Sequence, residues 1–278
     1  MKDVDRSRAS DPVILRAVFR LTREVRFAVN ASRDESRGSN GHAGVPPLVG
    51  FGHYFSMRLT LSGELDPDTA YLTNIKRIDA SVRERAIPLV AEAVHASSPP
   101  APARLVSTLH ERLATGWGSL RLESVELSLS PFLCYSARTT ETPMVRLSQK
   151  FEFSATHRLH NPGLSDADNR ATYGKCNNPH GHGHNYEVQV TLAGDPGSTG
   201  VLADVPGFER IVATTVIDRF DHKNLNVELP EFRDVIPSVE NIAATIFRLL
   251  KPPIGDAGAK LASVTVWETP KTWCEYSE

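Results

Sequence analysis

The sequence predicts an α+β fold made twice over, as two tandem domains, each an antiparallel sheet with two helices on one face. Two observations predict it. The first is internal repetition. "FRLTREVRFAV" (19–29) resembles "VRLSQKFEFSA" (145–155), and "GFGHYFSMRLTLSG" (50–63) resembles "GHGHNYEVQVTLAG" (181–194). More loosely, "LESVELSLSP" (122–131) resembles "LASVTVWETP" (261–270). Three matches in the same order are the signature of a duplication. The second observation is periodicity: the repeated segments alternate as strands do, while the segments between them have helical spacing.

Each half therefore reads strand, long loop, strand, helix, helix, strand. In the first half the helices are expected at 74–95 and 103–114, separated by the Pro/Ala/Ser loop "SSPPAPA". A polar, Gly-rich loop is expected over 33–47, and a linker between the halves near 136–143. In the second half, Phe208, Ile211, Val212 and Val216 mark a helix over 206–220. The last helix, over 238–250, opens on the N-cap Ser238, and Pro252 with Pro253 is expected to stop it. The domains fall at 13–138 and 143–278.

Composition narrows the function. The chain has 278 residues, a net charge of −2, 40% hydrophobic and 23% charged residues, which fits a globular protein with no nucleic-acid partner. No apolar run approaches the roughly 20 residues that span a bilayer, and "MKDVDRSRASDPV" has no secretion-signal core. Cys134, Cys176 and Cys274 are odd in number and widely spaced, so a reduced, cytoplasmic protein is expected rather than a disulfide framework.

The chemistry concentrates in "KCNNPHGHGHNYEVQV" (175–190). On a strand, His180, His182 and His184 would share one face. Neighbours on that face lie roughly 6.5–7 Å apart at Cα, close enough for two imidazoles to converge on one metal. Gly181 and Gly183 leave the other face bare. His157, ending the preceding strand in "FSATHRL", falls beside this row if the two strands pair antiparallel. Three histidines with an open fourth position make a catalytic rather than a structural zinc arrangement. Cys176, next to Lys175 and near such a metal, is a candidate base or nucleophile. Asp221 and His222 in "FDHKNLN" form either a proton relay or a solvated helix cap. Glu268 in "VWETP" is either a surface residue or an acceptor for the N–H donors of a planar ring.

Taken together, "FSATHRLHNPGLS", "GKCNNPHGHGHNYEV", "DHKNLN", "PSVEN" and "VWET" resemble the 6-pyruvoyl-tetrahydropterin synthase family, across essentially the whole second half. The resemblance implies a tunnelling fold, a four-stranded antiparallel sheet with two helices on its outer face, whose subunits associate into barrels. It implies Zn²⁺ held by His157, His182 and His184, with Cys176 as the proton-transfer base. Asp221 with His222 would be a second proton-transfer unit, and Glu268 would anchor the pterin ring. The implied substrate is 7,8-dihydroneopterin triphosphate. The histidines of "HGHGH" admit two registers, His180 with His182 or His182 with His184; the following "NY" aligns the family's ligands with the second pair. A sibling activity, 6-carboxy-tetrahydropterin synthase of the queuosine pathway, uses the same substrate, and its signature tends to a shorter C-x3-H-x-H spacing. The C-x5-H-x-H spacing here favours the 6-pyruvoyl type.

The first half departs from the pattern. Ala31 stands at the position of His157, Phe51 at that of His182 and Leu129 at about that of Glu268; of the ligands, only His53, opposite His184, remains. A degenerate copy with an assembly role is expected, and with it a homo-oligomer such as a trimer of six pseudo-equivalent domains. A pterin-binding or structural protein without turnover is the alternative of a different class.

Overall fold

The computed structural model describes residues 18–31, 44–197 and 199–278; most of the loop expected over 33–47 lies outside the described residues, as do residues 13–17 of the first domain. The alternating segments form strands β1 (Phe19–Asn30), β2 (Gly52–Gly63), β3 (Arg121–Ser128), β4 (Leu133–Arg138), β5 (Val145–His157), β6 (His182–Gly194), β7 (Lys223–Asn224), β8 (Lys260–Thr269) and β9 (Thr272–Tyr276). They make one nine-stranded sheet in the order β1-β2-β3-β4-β5-β6-β8-β9, with β7 against β5. Two separate four-stranded sheets were expected; the difference lies at the joint. Ser136 and Ala137, assigned to the linker, extend β4 and pair with Arg146 and Val145 of β5, so only a short 3-10 turn (Thr139–Glu141) connects the halves.

The two halves have matching ladders. Phe19 faces Gly63 in β1–β2 and Val145 faces Gly194 in β5–β6, the same positions of the repeated segments. The β2–β3 register shifts between Thr60 and Leu61, and the β6–β8 register shifts between Thr191 and Leu192, again at matching positions. Val125 faces Ala137 as Val264 faces Tyr276.

Helices cover one face. In the first half they are α1 (Ile75–Arg85), α2 (Ile87–His95) and α3 (Pro102–Leu113). The single helix expected over 74–95 is broken at Ala86, because Pro88 donates no amide and its ring would meet the carbonyl four residues back. In the second half, α4 (Asp166–Tyr173) occupies the long loop after β5, where no helix was expected. The segment 206–220 becomes α5 (Val205–Val212), a π-helical stretch (Ala213–Ile217) and α6 (Asp218–Phe220). Next come the single turn α7 (Leu225–Glu228) and α8 (Val239–Asp256), capped by Ser238. Contrary to expectation, α8 runs through Pro252 and Pro253. Pro252 sits on the exposed side, where water can take the carbonyls it leaves free, while buried Ile254 anchors the last turn in the core.

Under α8 the core face of the sheet carries Phe153, Ala155 and His157 of β5, then Tyr186 and Val188 of β6 and Val264 and Val266 of β8, all buried. The opposite face is polar, with Arg58 paired to Glu126 and Lys150 to Glu187. Among the described residues no helix is long and apolar enough to cross a membrane.

Candidate functional site

The candidate site grows from the end of the core face, where the apolar rows of β5, β6 and β8 give way to titratable groups. His157 faces His182 directly across β5–β6, with His184 two residues further along on the same side and Glu268 extending the Val264–Val266 row of β8. Nε2 of His157 lies 3.2 Å from Nε2 of His182. Oε1 of Glu268 lies 3.1 Å from Nε2 of His157 and 3.3 Å from that of His184. The ligand atoms of all four residues fall within 4.8 Å of one another, and no other such cluster of histidine, cysteine and acidic groups occurs among the described residues.

The surroundings set the protonation. His157 is fully buried, and its Nδ1–H donates to the Pro237 carbonyl at 2.7 Å, which turns the Nε2 lone pair inward. That carbonyl is presented by the turn that leads into α8 through its cap Ser238. Burial holds the His182 and His184 imidazoles below the usual range. Hydrogen bonding to His157 foremost, then the charges of the neighbouring imidazoles, hold the Glu268 carboxyl below its usual range against its partial burial. Nδ1 of His182 and Nε2 of His184 are buried without a hydrogen-bond partner.

This donor set fits a metal. The buried Nδ1 of His182 and Nε2 of His184 have no partner, and such orphaned atoms are costly in a folded protein. Donors bound tetrahedrally at 2.0–2.1 Å sit about 3.3 Å apart, close to the spacings here.

The histidine row is shorter than expected. β6 begins at His182, because Gly181 turns the chain at φ +72° and a Cβ there would meet the His157 carbonyl oxygen at 2.9 Å. His180 therefore lies outside the strand and exposed, with its backbone N–H donating to Asn178. Of the two registers the sequence allowed, His182 with His184 is the pair brought together.

Cys176 sits on a short 3-10 turn (Gly174–Asn177), and its carbonyl accepts from the Leu159 N–H at 2.9 Å, tying the turn to the residues just after His157. It is not part of the four-residue cluster. The fully buried Tyr186 hydroxyl has no partner; its pKa is pushed up chiefly by burial, then by the negative charge of Glu268. Asp221 and His222 are held on the edge of β5: Ser154 N–H donates to Asp221 Oδ1 at 2.8 Å, and His222 N–H donates to the Ser154 carbonyl. His222 Nδ1 lies 2.7 Å from Asp221 Oδ2, and its backbone sits at φ +57°, a conformation uncommon outside glycine. The backbone hydrogen bond from Ser154, then the His222 imidazole, hold the Asp221 carboxyl below its usual range. A cavity of about 580 Å³ is bordered by Thr156, Gly183, His184, His222, Lys223 and Glu228. Of the four-residue cluster His184 borders it, and of the Asp221–His222 pair His222 does.

Beneath this arrangement lies a clamp that has no signal in the sequence pattern. Asn226 Oδ1 accepts from Arg158 N–H at 2.7 Å, and its Nδ2 donates to the Arg158 carbonyl at 3.0 Å. The Arg158 guanidinium in turn reaches Asn177, the neighbour of Cys176. The last Asn of "DHKNLN" thus fixes the chain between His157 and the cysteine turn, a role that only the tertiary pairing reveals. Asn226→Ala leaves two part-buried backbone groups unpaired and is expected to cost about 1–3 kcal/mol, read as a lowered urea midpoint at unchanged m-value.

The likeness to known proteins lies in the second half of the chain. The sequence pattern of the family described as 6-pyruvoyl tetrahydropterin synthase matches residues 146–278. A human protein named 6-pyruvoyl tetrahydrobiopterin synthase is 41% identical over 128 residues, 45% of this chain and 85% of the relative. A Haemophilus influenzae protein named 6-carboxy-5,6,7,8-tetrahydropterin synthase is 29% identical, covering 49% of this chain and all of the relative. The solved structure of Caenorhabditis elegans 6-pyruvoyl tetrahydropterin synthase superimposes with a TM-score of 0.46 at 37% identity, over 49% of this chain and 96% of that one.

Proposed function

Because the chain belongs to the 6-pyruvoyl tetrahydropterin synthase family through residues 146–278, we propose that it is a zinc-dependent lyase converting 7,8-dihydroneopterin triphosphate to 6-pyruvoyl-tetrahydropterin with elimination of triphosphate. The observation that carries this reading is the convergence of His157, His182, His184 and Glu268 at the end of one sheet face. The three imidazoles would hold Zn²⁺, which when bound would supply Lewis acidity toward the side-chain oxygens and the adjacent C–H.

The chain's own groups carry the protons. Cys176 takes the side-chain proton. Asp221 fixes His222 through Nδ1, leaving Nε2 to return a proton to the ring. Glu268, kept ionised beside the imidazoles, accepts the N–H donors of the pterin. Lys223, on the cavity wall and paired with Glu228, places a cation near the leaving triphosphate. The substrate is rearranged internally, so no redox cofactor is required.

The 6-carboxy-tetrahydropterin synthase activity of the queuosine pathway is the second reading, favoured by the relative bearing that name. The longer spacing between Cys176 and His182 favours the pyruvoyl product over it. A pterin-binding protein without turnover is the third.

Residues 13–138 are read as a degenerate copy with an assembly role, and 143–278 as the catalytic domain. The matching strand registers of the two halves support the duplication. A homo-oligomer is expected, with a trimer of six pseudo-equivalent halves as its first form, in a reducing cytoplasm that suits three free cysteines. Zinc-loaded protein should release triphosphate from 7,8-dihydroneopterin triphosphate, and protein stripped by a chelator should not. Equal release from both would sink the metal-dependent reading.

A further inference from the structure

Tyr186 carries a hydroxyl that the fold does not use. The residue sits on the core face of β6, two positions beyond His184, and is fully buried, yet its oxygen has no hydrogen-bond partner. Taking a hydroxyl out of water without giving it a new partner costs free energy, so a chain that keeps one in such a place gains something else from it.

The repeat shows what packing alone requires here. Phe55 holds the matching position in the first half: it faces Phe27 across β1–β2 as Tyr186 faces Phe153 across β5–β6. Both pairs are stacked, with ring centroids 5.5 Å apart at 26° in the first half and 4.9 Å apart at 21° in the second. His53 lies 6.2 Å from the Phe55 ring, and His184 lies 5.5 Å from that of Tyr186. A phenyl ring thus fills the same box, and Phe55 is itself buried. What differs is the end of the sheet above it. The half with the hydroxyl has His157, His182, His184 and Glu268 gathered there. The half without it has Ala31, Phe51 and Leu129 at three of those four positions.

We infer that the Tyr186 hydroxyl is kept for the substrate and not for the fold: it is a hydrogen-bond donor to a side-chain oxygen of the substrate bound at the histidine cluster. The ring is fixed before that oxygen arrives. It is stacked on Phe153, and His157 and His184 meet it edge to face at 6.0 and 5.5 Å. A donor held in this way, with no water competing for it, needs no reorganisation when its partner comes. The hydroxyl keeps its own proton; the proton that moves is the one taken by Cys176. The identity of the substrate rests on the lyase reading above, whereas the contrast between Tyr186 and Phe55 does not.

Tyr186→Phe tests the inference, because it gives the second half the residue that the first already carries. Zinc should stay at one per chain, and the urea midpoint should be unchanged or raised, since an unpaired buried hydroxyl is removed. Even so, kcat/KM should fall about 10²-fold, as when one preorganised donor is lost. Binding supplies a readout that needs no turnover. In a Cys176→Ala background, adding Tyr186→Phe should weaken binding of 7,8-dihydroneopterin triphosphate about tenfold by titration calorimetry. Phe55→Tyr, the reverse exchange, should lower the urea midpoint and leave kcat/KM as it was. Unweakened binding in the calorimetric pair overturns the inference, and so does a lowered midpoint with loss of zinc in Tyr186→Phe, which would make the hydroxyl structural. If the wild-type chain binds this compound without converting it, the lyase reading fails while the calorimetric pair still decides the donor.

Discussion

His182→Ala is expected to abolish zinc binding and turnover together. His182 supplies one of three imidazoles whose lone pairs meet at the end of the sheet, and its Nε2 lies 3.2 Å from that of His157. Removing it leaves two histidines and Glu268, a set open to water that no longer surrounds a cation. Outer-shell changes alone typically weaken metal sites about 10- to 100-fold, so losing a direct ligand should weaken this one more. Stability should register the same loss. A ligand at 100 times its Kd stabilises a fold by about 2.7 kcal/mol, and the zinc-dependent rise in melting temperature should vanish in the variant. His53→Ala in the first half, by contrast, should leave zinc at one per chain, because Ala31, Phe51 and Leu129 offer no further ligands. Inductively coupled plasma measurements on both proteins decide it. One zinc retained by His182→Ala would remove this histidine from the site.

Cys176→Ala is expected to separate chemistry from metal. The cysteine turn lies outside the four-residue cluster, so zinc should stay at one per chain. General acid–base groups contribute about 10²–10⁴-fold, and kcat should fall by that factor with KM little changed. Cys176→Ser should fare no better, since a hydroxyl is far harder to deprotonate than a thiol. Loss of zinc in Cys176→Ala would instead make the thiol a ligand, and unchanged kcat would take it out of the reaction.

Much of this site was legible in the chain. The spacing of His182 and His184, with His157 at the end of the preceding strand, predicted a meeting point that antiparallel pairing of β5 and β6 provides. The repeated segments likewise coincide with the strands that pair in each half, β1 with β2 and β5 with β6. What stayed hidden depends on tertiary closure or on single backbone torsions. His180 shares the alternation of its neighbours, but the left-handed turn at Gly181 ends the strand before it. The sequence offered Glu268 as a surface residue or an acceptor for ring N–H donors, with no sign that it would sit among the imidazoles; the sheet order brings β8 beside β6 and places it there. Asn226 looked like an unremarkable polar residue because its partner, the Arg158 backbone, lies far away in sequence. The joint between β4 and β5 was mistaken for a linker because Ser136 and Ala137 carry no strong strand signal of their own. Their pairing with Arg146 and Val145 is what makes them strand.

The most direct measurement of the central claim is product identity. Zinc-loaded protein is incubated with 7,8-dihydroneopterin triphosphate, and the released species are identified by mass spectrometry. Triphosphate together with a 6-pyruvoyl pterin is the predicted result. Acetaldehyde with a 6-carboxy pterin, or no turnover by protein carrying one zinc per chain, would contradict it.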